Sequence, residues 1–381
     1  MQLRRVQVLF ALVGAAEAAL LPFLPIVLKV RGLSAAEIGV ALALAALAGF
    51  VAAPLWGHVA DRRLGAERAL VVAAIAAAVA TVPLALAHGF LALTLAVVLL
   101  TGVRSALISL ADAIALDHLG SDLSQYGRVR LWQSLGWAVS ACVWGLVLQW
   151  GSLDWLPGIY AACALLVAFA AQRVGGRRRV YDASPPGARR AMLVELAPFL
   201  FSLLLLFAAF SATFSFVSVR ISDLGGGLFV IGAATALQAG AEAPVMRLTP
   251  RLSRALGHRA LYVVGSLFFV VSFVAWAFLD DPVTIALVKL VAGVGFALVY
   301  VGSVVLVDAL VPPGLRGTGQ GLAKAVSFGL SPILGSLAGG AIYGYAGPRA
   351  LFLVCAAAAL VAGTSVFVIA ARGRATRVSP T

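Results

Sequence analysis

Apolar residues run along this chain in twelve long blocks, at 6–30, 36–60, 67–87, 90–117, 128–150, 155–173, 195–219, 228–250, 259–279, 282–309, 317–343 and 349–371. Each is near or above the ~20 residues a helix needs to cross a bilayer. Stretches such as Leu70–Ala87 and Ala350–Ala371 do not alternate apolar with polar residues, so they predict helices and not barrel strands. The breaks between blocks are turn formers: Arg31-Gly32, Asp61-Arg62, His88-Gly89, Asp281-Pro282, Pro312-Pro313-Gly314 and Gly347-Pro348. The pattern predicts an all-α membrane protein of twelve transmembrane helices.

Composition agrees with that pattern. Of 381 residues, 62% are hydrophobic and 11% charged, more apolar surface than a water-soluble domain of this size can hide. The net charge of +13 raises nucleic acid as a partner, but its placement argues for membrane topology instead. With the N-terminus in the cytoplasm, 20 of the 28 Lys and Arg residues fall in or beside cytoplasmic segments. Lys29, Arg31, Arg220 and Arg349 fall outside, and Arg104, Arg130, Lys289 and Lys324 within spans. That asymmetry places both termini in the cytoplasm, in what the Ala/Arg-rich composition suggests is a bacterial inner membrane.

The longest polar stretch, Gln172–Arg190, carries Gly175-Gly176, three consecutive arginines and Pro185-Pro186-Gly187. It divides the chain into a six-helix bundle at 1–173, a cytoplasmic linker at 174–193 and a second six-helix bundle at 194–381. The segments from Ala53 and Ala243 share spacing at an offset of 190 residues, and Arg130 and Lys324 correspond at an offset of 194. Two six-helix pseudo-repeats are expected.

Seven charged side chains interrupt the spans: Glu17, Arg104, Asp112, Arg130, Glu242, Lys289 and Lys324. At roughly 2.5–3.5 kcal/mol each near the bilayer centre, they must face one another or a watery cavity. Asp112 and Arg130 lie nine residues either side of the turn near Ser121, so an antiparallel hairpin brings them to equal depth. Arg130, Ser134, Trp137 and Trp144 share a helix face suited to a carboxylate, a sugar or an aromatic solute. Lys289, Phe296 and Tyr300 share another, as do Lys324, Ser327 and Ser331; both lysines are candidates for anion recognition or for neutralising Glu17 or Glu242. Arg104 is a charge partner for Asp112 or another acid. Glu17 and Glu242 are the acids nearest the middle of their spans, and so the candidate proton carriers, Glu242 first.

The segment Gly57–Arg68 resembles the signature loop between helices 2 and 3 of the major facilitator superfamily, with Gly57, Asp61, Arg62, Gly65 and Arg68 matching and one extra residue between Asp61 and Gly65. The resemblance implies a gating role for that loop. Tyr126–Gly145 and Pro22–Gly39 resemble lactose-permease-like and phenylpropionate-permease-like proton symporters, and Gln238–Met246 resembles the helix-8 glutamate segment of the latter group. The resemblance implies the major facilitator fold and places Arg130 and Asp112 where lactose permeases bind sugar. It departs in span 10, which has Lys289 and no histidine, so the proton path of those permeases does not carry over. The glycine-rich antiporter motif of helix 5 in drug exporters is absent from Leu131–Trp150.

The expected function is proton-coupled uptake of a small organic solute by alternating access, with efflux of amphipathic compounds on the same fold as the alternative. A membrane enzyme or signalling protein is disfavoured, because there is no Ser/His/Asp or metal constellation. ATP-driven transport is disfavoured by the lack of G-x-x-x-x-G-K-[ST]. No metal or cofactor is expected beyond the proton gradient. The expected partners are solute, protons and membrane lipid, and the expected assembly is a monomer.

Overall fold

The computed structural model describes residues 2–119, 126–174, 188–311 and 315–375. The described residues form fifteen α-helices joined by short turns: α1 (Gln2–Leu20), α2 (Leu24–Val30), α3 (Ala35–Val59), α4 (Ala66–Val79), α5 (Thr81–Leu86), α6 (Phe90–Arg104), α7 (Ala106–Leu119), α8 (Tyr126–Trp150), α9 (Leu156–Gln172), α10 (Ala188–Asp223), α11 (Leu228–Leu256), α12 (His258–Phe278), α13 (Pro282–Leu310), α14 (Arg316–Ala325) and α15 (Ser331–Ala375).

Several expected spans are built from two helices. Span 1 breaks at 21–23, ahead of Pro25 in the first turn of α2. Span 4 breaks at Ser105, between α6 and α7. Eleven stretches among the described residues are long and apolar enough to cross a membrane, the last running 49 residues from Thr318 to Val366. At 1.5 Å per residue that stretch would be about 74 Å long, more than twice a bilayer core. It bends at Gly347, whose φ of 84° and ψ of 172° are not helical. Pro348 follows, so the stretch is two spans and the total is twelve. Of the expected linker, 175–187 lie outside the described residues, and α10 already begins at Ala188. The turn near Ser121 also lies outside them.

The extra residue of the Gly57–Arg68 loop has a structural counterpart. Ala60–Leu64 form a wide π turn, and the Gly65 amide donates to the Ala60 carbonyl at 2.8 Å. A π turn absorbs one inserted residue without unwinding the helix. Gly65 then takes φ 79° and ψ 154° to start α4, and Gly257 takes φ 82° and ψ 157° to start α12. The internal repeat is therefore visible in the backbone, at an offset of 192 residues.

Helix α1 packs on α8 and α9, α3 on α6, and α4 on α9 within the first half; α10 packs on α15 and α13, and α12 on α13 and α15, within the second. The halves meet through α8 against α11 and α3 against α15. Both seams are tight because glycines face each other. A Cβ on Gly39 would lie 2.6 Å from the Gly340 Cα, and one on Gly232 would lie 2.2 Å from the Ala141 carbonyl oxygen. Both approaches lie toward the end of the bundle away from the chain termini.

Polar contacts tie the same end. Lys29 pairs with Asp223 at 2.6 Å and donates to Ser222 Oγ at 3.0 Å. The Tyr343 hydroxyl bonds the other oxygen of Asp223, and its ring stacks on Phe216. Gln149 accepts from the Phe229 amide at 3.2 Å, satisfying an α11 N-terminus that lacks a side-chain cap of its own. This end is therefore closed. Gly340→Leu is expected to wedge it apart and reduce solute exchange at least about ten-fold, since overpacking a backbone contact costs on the order of 1–3 kcal/mol or more. Wild-type exchange by that variant in proteoliposomes would show that the seam does not need to close.

Candidate functional site

The first half contributes two separate charge clusters. In one, Glu17 in the last turn of α1 is 1% exposed and bonds the Arg104 guanidinium from the last turn of α6. The break at Ser105 ends α6 there, and Ser105 Oγ donates to the Gly102 carbonyl at 2.9 Å. Tyr160 of α9 lies beside the pair; its hydroxyl and Glu17 Oε1 are buried without a partner. Arg104 is thus the partner of Glu17, not of Asp112, and neither lysine neutralises Glu17. A buried pair this enclosed acts first as a clamp between α1 and α6.

The second cluster is the expected one. Arg130 Nη1 reaches Asp112 Oδ1 at 3.3 Å, joining α8 to α7. The same guanidinium nitrogen bonds Gln133 Oε1, one turn along α8. Gln133 is 7% exposed, whereas the Arg130 and Asp112 side chains keep 38% and 23% of their surface open. Charges at this depth do not face lipid, so that open surface is the wall of an aqueous cleft. Ser134 and Trp137 stand half-buried further along α8.

The second half supplies a matching group. Lys289 of α13 is 3% exposed and donates to Gln238 Oε1 of α11 at 3.1 Å. It also lies 5.1 Å from the ring centre of Phe214 and 5.3 Å from that of Trp276, within cation–π range. Glu242 lies one turn after Gln238 on α11, with Lys289 and Arg130 as the cations whose charge acts on it. No ion pair within 4 Å joins Glu242 to either of them among the described residues. Lys289 is thus a neighbour of Glu242 and its direct partner is a neutral amide.

An aromatic wall flanks Lys289. Phe296 and Tyr300 stack at 5.8 Å on α13, on the face the spacing predicted. Phe210 lies 5.1 Å from Phe296, and Phe207 and Tyr300 both contact Phe328, at 5.2 and 6.2 Å. The cleft so described offers cations and an acid from both halves beside planar apolar surface.

The structure leaves one expected residue outside this group. Lys324 is exposed at the end of α14 and makes no polar contact with the cluster among the described residues. Its expected face with Ser327 and Ser331 is broken by a π turn at Val326–Leu330, and Ser331 Oγ donates instead to the Leu204 carbonyl of α10. In the Gly57–Arg68 loop, Asp61, Arg62 and Arg68 are exposed. Trp56 donates from its indole to the Gly102 carbonyl at 3.3 Å. Gln133 and the Lys29–Asp223–Tyr343 contact were missed. The i, i+3 spacing from Arg130 to Gln133 was the available signal for the first; nothing in the sequence pointed to the second.

A family model described as "MFS_1 like family" matches residues 3–354. The maltose permease of Geobacillus stearothermophilus is 30% identical over 345 residues, covering 87% of this chain and 85% of that protein. The multi-drug resistance efflux pump PmrA homolog of Lactococcus lactis subsp. lactis (strain IL1403) is 25% identical over 383 residues, covering 94% and 89%. The crystal structure of the nucleoside transporter NupG superposes with a TM-score of 0.84 at 18% identity, covering 97% of this chain and 98% of that one, a likeness of fold. The multi-pass helical architecture and a family match across nearly the whole chain lead to one conclusion: this protein belongs to the major facilitator superfamily, as a membrane transporter of the MFS_1-like family.

Proposed function

We infer that the protein is a proton-coupled symporter that takes up a small organic solute by alternating access. The observation that carries this reading is Glu242, an acid inside a span on α11, the helix that meets α8 at the seam between the halves, with no ion pair within 4 Å among the described residues. A carboxyl in that position gains and loses its proton as the seam opens to one side and then the other. Arg130, Asp112, Gln133 and Lys289 are the residues assigned to the solute. They suit a molecule with several hydrogen-bond acceptors or a carboxylate, and the wall of Phe210, Phe296 and Tyr300 suits a planar or ring-bearing body.

Orientation follows from the basic residues. Both termini and the 175–187 segment are assigned to the cytoplasm, in a bacterial inner membrane. On that assignment the closed end described above faces outward, and the cleft at Arg130 opens inward. A reporter fused after Gly176 is expected to behave as cytoplasmic, and one inserted near Asp281 as periplasmic. The reverse pattern would overturn the orientation.

The direct test is a solute panel in proteoliposomes under an imposed proton gradient. It includes maltose, nucleosides and phenylpropionate, together with the amphipathic dyes used for exporters. Accumulation of one solute that collapses with a protonophore supports symport. Gradient-driven extrusion of the dyes would assign the chain to efflux, the activity named for the lactococcal relative.

A further inference from the structure

We propose that Gln238 is a positioning residue that ties protonation of Glu242 to solute binding at Lys289; this rests on the proton-coupled reading above. Gln238 is 5% exposed. Its carbonyl oxygen accepts from the Lys289 ammonium at 3.1 Å, and Glu242 stands one helical turn along the same face of α11, on the side of the amide that Lys289 leaves free. An amide has its acceptor at one end and two donors at the other, so the end facing the carboxylate is the NH2 group. The amide is thus held between an ammonium and a carboxylate.

Gly293 lies one turn after Lys289 on α13, and a Cβ there would meet the Gln238 backbone carbonyl oxygen at 2.3 Å. The backbones of α11 and α13 therefore touch at the level of the relay. The remaining groups around it are fixed in kind. Arg130 of α8 is the other cation facing Glu242, Asp112 of α7 faces Arg130, and Phe214 of α10 and Trp276 of α12 present rings to Lys289.

With Glu242 ionised, the amide donates to the carboxylate and its carbonyl holds the ammonium. When a proton from solvent forms the O–H bond on Glu242, the pull on the NH2 end is lost. The neutral acid can then donate its own O–H to the amide carbonyl, in competition with Lys289. That releases an ammonium N–H for an acceptor on the solute. Proton and solute thereby bind with positive coupling, and by reciprocity each strengthens the other. Direct attraction between Lys289 and Glu242 gives coupling of the same sign, so what marks the relay is that the coupling depends on the Gln238 amide.

The test uses the full chain in proteoliposomes, with maltose, uridine and phenylpropionate as probes in equilibrium counterflow, which needs no gradient. Gln238→Met keeps the length of the side chain and removes its donor and acceptor. In the wild type, the apparent KM of the transported probe is expected to fall roughly ten-fold from about pH 8.5 to about pH 5.5, a coupling of ordinary size. In Gln238→Met that pH dependence is expected to shrink to less than about three-fold, with the maximal exchange rate largely retained. A wild-type pH slope in Gln238→Met overturns the proposal. The underlying reading has its own separate failure: Glu242→Gln that still accumulates the probe against a gradient refutes Glu242 as carrier, whatever Gln238 does.

Discussion

Glu242→Gln is expected to abolish accumulation of solute against a gradient while leaving downhill exchange intact. The reason is specific to its surroundings. Uphill transport needs one group whose protonation differs between the two faces of the cycle. Glu242 lies on α11 at the seam with α8, near Arg130 and Lys289 but in direct ion contact with neither. Glutamine mimics the protonated acid in shape and hydrogen bonding, so solute can still bind and exchange. It cannot release a proton, so the accumulation ratio should fall to one. The control is Glu17→Gln. It leaves Arg104 buried without its counter-charge, which costs about 3–5 kcal/mol where a buried pair loses one partner. Its effect should therefore appear as lower thermal stability, with any correctly folded fraction still coupled. If both variants accumulate solute and the accumulation still collapses with a protonophore, Asp112 becomes the carrier to test.

Arg130→Ala is expected to weaken solute binding by roughly ten-fold or more, from the loss of a charge-assisted contact of about 1.5–3 kcal/mol on a partly open wall. Arg130→Lys keeps the charge but loses the planar fork that now serves Asp112 and Gln133 together. It should recover only part of the affinity. Removing the arginine also strips Gln133, which is almost fully buried, of the guanidinium it accepts from. Expression should survive, because the pair lies on a partly open cleft wall and not in the packed core. Wild-type affinity in Arg130→Ala, measured by concentration-dependent counterflow, would remove Arg130 from the solute site.

The sequence made the twelve spans readable because lipid leaves little choice: each crossing must be helical and about twenty apolar residues long. The Asp112–Arg130 contact was readable for a local reason, since two residues equidistant from one turn meet at one depth. Glu17 and Arg104 are 87 residues apart on helices that are not neighbours in sequence, so periodicity could name both charges without pairing them. Lys289 was expected either to neutralise Glu17 or Glu242 or to recognise an anion; its hydrogen-bond partner is the neutral amide of Gln238, which does not stand out among apolar neighbours as a charge does. Lys324 was misplaced because a helical wheel assumes a constant turn. The π turn at Val326–Leu330 inserts one residue's rotation, about 100°, between Lys324 and Ser331. That Gly340 meets Gly39 of the opposite half depends on tertiary structure alone.

The central claim is that solute and proton move together in the same direction. It is tested most directly by sealed proteoliposomes in weakly buffered medium, with a pH electrode outside and no gradient at the start. Adding the transported solute outside should make the external medium more alkaline, at a rate that follows solute entry and disappears in Glu242→Gln. External acidification on solute entry would mean exchange of solute for protons, and solute entry with no pH change would mean facilitated diffusion; either result contradicts the account.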